Sequence, residues 1–296
     1  MSSNLLEILN DYKICNQEKL SIKTLNDCSI YLDRSLPNQI IFYKNHNDER
    51  SHTSFIVRLN KGKPGLLVLI SRPKEKLKVP YIVCEEEEFL FLQKCVLEIL
   101  FPLKNKPKIA AITGTNGKTT TGYLLMQLLN QVGRSVVFAG TIGLYRDGKR
   151  LDHEFDTTSP SFIDFWKILY ENMDSFAFIV EASSHGLDQD RFFGFRFMTA
   201  AFTNLTRDHL DYHETFDEYF SAKNKIFNHL VSEGKCFVLD KQEEIIRKVN
   251  DSRLSVIKPL DETIENLFFN ISYNVDNLTL AVAMAESLLG NKNKFL

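Results

Sequence analysis

From Lys108 onward, short apolar runs alternate with stretches whose apolar positions recur every three or four residues. The runs 109–112, 135–139, 176–180, 199–202, 236–239 and 254–257 read as strands. Their near-absence of polar alternation is the pattern of strands buried on both faces. Between them, 118–132, 162–173, 216–230 and 275–289 carry helical periodicity. Asp147-Gly148 marks a hairpin turn between 141–145 and 150–151. Strand and helix in alternation predict an α/β fold with a mostly parallel sheet covered by helices.

Residues 1–105 are patterned differently, with short apolar runs at 40–43, 54–57, 66–70 and 81–83. These predict a small α/β unit. The acidic run Glu85 to Glu88 precedes the apolar stretch 89–100 and reads as the first turn of a helix, where acidic residues favour the macrodipole. Pro102-Leu-Lys-Asn-Lys-Pro107 is a short basic linker bounded by prolines. Two domains are therefore expected, 1–105 and 106–296, and no internal repeat is visible. Length agrees with that number.

Composition changes little in this picture. The chain is 44% hydrophobic and 25% charged, with a net charge of −2, which gives no reason to expect a nucleic-acid or membrane surface. Its five cysteines are odd in number and show no paired spacing, so they read as reduced thiols and not as metal ligands. The N-terminus lacks a basic leader, and no apolar run approaches membrane-spanning length. A soluble, cytoplasmic protein is expected.

The chemistry centres on Ile109-Ala-Ala-Ile-Thr-Gly-Thr-Asn-Gly-Lys-Thr-Thr-Thr121, a strand, a glycine loop and the start of a helix. Such a junction offers free backbone N–H groups and a helix N-terminus to a polyphosphate. Lys118 would reach the terminal phosphates, and the Thr119 hydroxyl would ligate Mg²⁺. The spacing departs from the standard P-loop, because the first glycine, Gly114, lies three residues before Gly117 and not five. The bland alternative is a glycine turn with a chance Lys-Thr.

Ligands of such sheets sit at the carboxyl ends of the strands. Run 176–180 ends in Glu181, where a second Mg²⁺ ligand would be needed; a surface or helix-capping carboxylate is the other reading. Run 199–202 leads into Thr203-Asn-Leu-Thr-Arg-Asp-His-Leu-Asp-Tyr-His213. Two histidines and two aspartates there suit a metal or phosphate site, or a solvated loop. The turn Asp156-Thr-Thr-Ser-Pro160 offers hydroxyls.

Taken in order, Thr113-Gly-Thr-Asn-Gly-Lys-Thr-Thr120, Thr157-Thr158, Glu181-Ala-Ser-Ser-His-Gly-Leu187 with Gln189 and Arg191, Phe202 to His213, and Ala222-Lys223 resemble the central domain of the Mur ligases. The likeness covers roughly residues 108–230 and is nearest to members adding the third residue of the peptidoglycan stem peptide. Tyr273-Asn-Val-Asp-Asn277 is similar to the family's last central helix, near the adenine. The resemblance implies ATP-dependent amide formation: a substrate carboxylate is phosphorylated, and an amino acid's amine displaces phosphate.

It further implies that Gly114, Thr115, Asn116, Gly117, Lys118, Thr119, Thr120 and Asn277 hold ATP. Thr119 and Glu181 would hold one Mg²⁺, and His209 a second, supported by Lys223 as a carbamate. Carbamylation turns a neutral amine into an anion. Lys118, His209 and Lys223 would be the catalytic residues. Thr157, Thr158, Ser183, Gln189 and Arg191 match positions that hold a UDP-N-acetylmuramoyl-peptide, with Arg191 on a carboxylate or phosphate.

The resemblance fades towards both ends. The family's uridine-binding loop is only faintly echoed around Asp33-Arg34-Ser35. The family's C-terminal domain, which closes over ATP and contacts the incoming amino acid, is expected to be absent from these 296 residues. Three readings follow: a truncated sequence, a split enzyme whose partner supplies that domain, or a non-catalytic remnant that binds nucleotide or precursor. Folylpolyglutamate synthase shares the P-loop, but the runs Glu181 to His185 and Arg207 to His213 speak against it.

Overall fold

The computed structural model describes residues 2–45, 49–153, 157–206, 212–260 and 272–290. They form two compact units, 1–104 with 166–170, and 105–165 with 171–296. The first contains α1 (Ser2–Asn10), β1 (Asp27–Ser29), β2 (Gln39–Tyr43), α2 (Glu49–Lys61), β3 (Leu66–Leu69), β4 (Tyr81–Val83) and α3 (Glu86–Leu100). Its four strands pair in parallel in the order β1-β2-β3-β4. Leu32, Ile41, Phe55, Leu67, Leu69 and Leu77 make a core cluster on this sheet.

The apolar run 54–57 lies in helix α2, not in an extended segment. Only Phe55 of that run is buried, whereas Val57 is exposed, so one helical face meets the core. A run of four apolar residues fits either period, and its neighbours decide.

The remaining elements lie in the second unit, except that residues 166–170 of the fifth helix belong to the first. They are β5 (Lys108–Thr113), α4 (Lys118–Gln131), β6 (Val136–Gly140), β7 (Gly143–Arg146), β8 (Lys149–Arg150), α5 (Phe162–Glu171), β9 (Ala177–Glu181) and α6 (Ser184–Asp188). There follow β10 (Phe197–Phe202), α7 (Phe216–Asn224), α8 (Ile226–His229), β11 (Leu230–Leu239), α9 (Glu243–Lys248), β12 (Leu254–Ile257) and α10 (Ser272–Leu289). The sheet order is β12-β11-β10-β5-β9-β6-β7-β8. Pairing is parallel from β12 to β6 and antiparallel for β7 and β8.

Alternate residues of the central strands face opposite layers. Ala110, Ile112, Phe138 and Ile179 pack with Leu125, Met126 and Leu129 of α4 and with Leu280, Met284 and Leu288 of α10. On the other face, the ring of Phe165 from α5 meets Phe178 edge-on at 5.3 Å and Phe192 at 5.3 Å. The mostly parallel, doubly covered sheet expected from the sequence is present.

The stretch 216–230 is not one helix. It divides at Lys225, and the chain turns into β11 at Leu230, earlier than the apolar run 236–239 indicated. Arg253 secures the end of α8: its guanidinium donates to the carbonyls of Phe227 (2.8 Å) and Leu230 (3.0 Å). Those carbonyls are satisfied without further helix. Asp251 holds the guanidinium in place at 2.6 Å.

All five cysteines are free, and burial pushes the Cys84 thiol up to about 11. Among the described residues, no helix is long and apolar enough to cross a membrane.

His229 ends α8 against the rings of Phe197 (5.2 Å) and Phe192 (6.2 Å). Burial there pushes its imidazole below the ordinary value of 6.5. The unfolded chain therefore binds the proton more readily. Stability is full above pH 6.5, begins to fall as the pH drops through that value, and finishes falling below the lowered one. Urea denaturation at pH 7.5 and 5.5 should show this loss, and a His229→Phe variant should show less of it.

Candidate functional site

The loop from Gly114 to Gly117 joins β5 to α4 at the carboxyl edge of the sheet. β5 lies between β9 and β10, so three loops meet at this edge. Gly114 has φ 136°, a conformation that side chains rarely adopt, and a Cβ there would collide with Thr203 Oγ1. The loop is clamped to the segment after β10. Thr115 N–H donates to the Asn204 carbonyl (3.0 Å), and Asn116 N–H to Asn204 Oδ1 (2.9 Å). Thr203 Oγ1 donates to the Asn116 carbonyl at 2.6 Å.

Two ammonium groups converge on one atom. Lys118 Nζ donates to the carbonyls of Gly114 (2.9 Å) and Thr115 (2.7 Å). Lys223, on α7 and only 1% exposed, donates to the same Gly114 carbonyl at 2.8 Å. Like charges this close repel, so the pair makes a locus that favours an anion.

Glu181 ends β9 and is wholly buried. Its Oε1 accepts from Thr119 Oγ1 (2.8 Å) and from Thr141 N–H (3.0 Å), and its Oε2 from Thr141 Oγ1 (3.1 Å). Burial raises its pKa, while these hydrogen bonds and the charge of Lys118 oppose the rise. Thr120 joins Thr119, Tyr123, Leu124, Ile142 and Tyr145 around an open cavity of about 380 Å³. Asn277 of α10 accepts from Thr121 Oγ1 at 3.2 Å and lies against Gly117.

A second cluster lies beside the carboxylate. Arg191 donates to Thr157 Oγ1 (2.6 Å), to the Ser159 carbonyl (2.6 Å) and to Gln189 Oε1 (2.8 Å). Ser183 caps α6 by accepting from Gly186 N–H, and its hydroxyl meets that of Ser159 at 2.9 Å. Thr158 touches the first cluster through Thr141, with 3.3 Å between hydroxyls. The sequence-selected residues thus fall into two adjoining groups at one sheet edge. His209, also selected, lies outside the described residues. Among the described residues, no three His, Cys, Asp or Glu side chains gather as a metal cage.

Residues 112–263, just over half of the chain, match the Mur ligase middle domain. The chain belongs to the Mur ligase family. The UDP-N-acetylmuramoyl-L-alanyl-D-glutamate–2,6-diaminopimelate ligase of Aquifex aeolicus is 38% identical over 186 residues, 62% of this chain and 38% of that protein. A solved structure of a ligase with the same name has a TM-score of 0.67 at 22% identity, covering 90% of this chain and 62% of its own. MurF ligase from Thermotoga maritima, solved in complex with ADP, has a TM-score of 0.54 at 14% identity, with 90% and 64% covered. The chain thus spans less than two thirds of each of these proteins, and the two structural likenesses speak for the fold.

Two residues of this Mur ligase chain escaped the sequence reading, and a third, Ser159, entered it only as one hydroxyl of the turn 156–160. Thr141 carries two of the bonds to Glu181, Ser159 bridges Ser183 and Arg191, and Tyr219 lies against the glycine loop at Thr115. Thr141 had a signal, since it follows the strand end at Gly140, as Glu181 ends β9. Ser159 had only the weak signal of a hydroxyl-rich turn, and Tyr219 had none, because its partner Thr115 is distant in sequence.

Gly140 leaves room for the carboxylate, as a Cβ there would collide with Glu181 Oε1. A Gly140→Ala variant should lose about 1–3 kcal/mol in urea denaturation, the usual cost of overpacking. Its Glu181 should part from Thr119 in a crystal structure.

Proposed function

We propose that this chain carries the ATP- and precursor-binding part of an ADP-forming ligase of peptidoglycan synthesis. Its reaction joins an amino acid to a UDP-N-acetylmuramoyl-dipeptide through an acyl phosphate. The observation that supports this most is the junction of the phosphate loop with a buried carboxylate. Thr119, the residue after the loop lysine, is hydrogen-bonded to Glu181 at the end of the neighbouring strand.

A hydroxyl beside a carboxylate is a hard oxygen pair, which fits Mg²⁺ and does not fit a soft metal. Mg²⁺ there would neutralise charge on the ATP phosphates. Gly114 to Thr120 would cradle those phosphates, with Lys118 moving from the loop carbonyls to phosphate oxygens. Asn277, against Gly117, suits the adenosine side. In the family pattern, His209 and a carbamylated Lys223 hold a second Mg²⁺. Carbamylation would replace one of two converging cations by an anion, which removes the repulsion at the Gly114 carbonyl.

Thr157, Thr158, Ser183, Gln189 and Arg191 are assigned to the muramoyl-peptide. The hydrogen bonds of Arg191 to Thr157 and Gln189 support a preset guanidinium for a carboxylate or phosphate. Residues 1–105 are assigned to a divergent uridine-binding domain, and 106–296 to the ATP-binding domain. Contacts to the incoming amino acid belong to a third domain outside these residues, in the same polypeptide or in a separate protein. Absence of a membrane-spanning helix among the described residues accords with action in the cytoplasm on a nucleotide-linked precursor.

Calorimetric titration with Mg²⁺ and a non-hydrolysable ATP analogue tests the reading. Binding is expected, and Lys118→Ala should weaken it at least about tenfold, the loss of a charge-assisted contact. UDP-N-acetylmuramoyl-dipeptide should strengthen nucleotide binding. Binding without any such coupling would instead favour a nucleotide-binding protein that does not ligate.

A further inference from the structure

Tyr219 lies on α7, four residues before Lys223, and is wholly buried. Its Oη is 3.1 Å from Thr115 Oγ1. Thr115 has a single hydroxyl proton, and it donates that proton to the Thr206 carbonyl at 3.1 Å. It also accepts from Thr206 N–H at 3.0 Å. With that proton on the Thr206 carbonyl, one lone pair of Thr115 is left to accept from Tyr219. The ring of Tyr219 carries Lys223 Nζ at 4.5 Å from its centroid, and that ammonium donates to the Gly114 carbonyl. One side chain thus reaches the phosphate loop at two points, Thr115 through its hydroxyl and Gly114 through Lys223.

We propose that Tyr219 is a positioning residue for nucleotide phosphate, holding the Gly114–Gly117 backbone in its binding conformation. The proposal rests on the nucleotide reading above. Glycine reaches the positive φ of Gly114 without strain but also many other conformations, so contacts with the loop must select this one. A cradle of N–H groups binds well only when its geometry is set beforehand. Thr115 Oγ1 locks the loop to Thr206, and the tyrosine hydroxyl completes that lock. Phenylalanine at 219 keeps the ring under Lys223 and leaves Thr115 with a buried, unmet lone pair.

The test uses the chain with Tyr219→Phe, Thr115→Val and both together. Amide hydrogen exchange is read over 114–118, and calorimetry uses Mg²⁺ with a non-hydrolysable ATP analogue. Tyr219→Phe should speed exchange in 114–118 while leaving β11 and α10 protected as in wild type. Each single variant should weaken binding of the analogue about tenfold, and the double variant should be no weaker than either. Wild-type exchange over 114–118 in Tyr219→Phe, or losses that add, would overturn the proposal. Should wild type itself not bind the analogue, the nucleotide reading fails, and exchange over 114–118 alone decides whether Tyr219 holds the loop.

Discussion

A carboxylate wholly removed from water is the constraint that the site is built around. Glu181 ends a central strand with neighbours on both sides, so its charge must be met by hydrogen bonds from close at hand. Thr119 supplies one from the first turn of α4, and Thr141 supplies two from the turn after β6. Gly140 is small because the carboxylate occupies the space its side chain would need. Three positions, 119, 140 and 141, are thus tied to one buried charge at 181.

The glycine loop between β5 and α4 depends on a second kind of support. Strand order places β10 beside β5, and the segment after β10 supplies the acceptors and donors that hold Thr115 and Asn116. Loop and clamp meet where the strands run out in opposite directions from β5, which is where open α/β sheets bind ligands. Lys118 and Lys223 reach the Gly114 carbonyl from two different helices. Their shared acceptor concentrates positive charge at the loop without adding an exposed basic patch.

The two groups of selected residues are joined through few atoms. Thr141 touches both Glu181 and Thr158, and Ser159 bonds the Glu181 carbonyl as well as Ser183. A ligand that moves Thr158 would therefore bear on the carboxylate beside the phosphate loop. Under the proposed function, such short links would couple nucleotide and precursor.

Sequence alone determined the α/β class, the buried central strands, the glycine loop between β5 and α4 and most of the residues gathered at the sheet edge. Continuous apolar runs, glycine spacing and strand-end polar residues are local signals, and the motif order carried the family. Tertiary structure decided what depends on partners far along the chain. The run at 54–57 lies on a helix that buries Phe55 and leaves Val57 exposed, and α8 stops where Arg253 takes the carbonyls of Phe227 and Leu230. Thr141, Ser159 and Tyr219 have ordinary residue types at ordinary positions. Their importance comes from strand order, which brings together buried polar groups that sequence distance keeps apart.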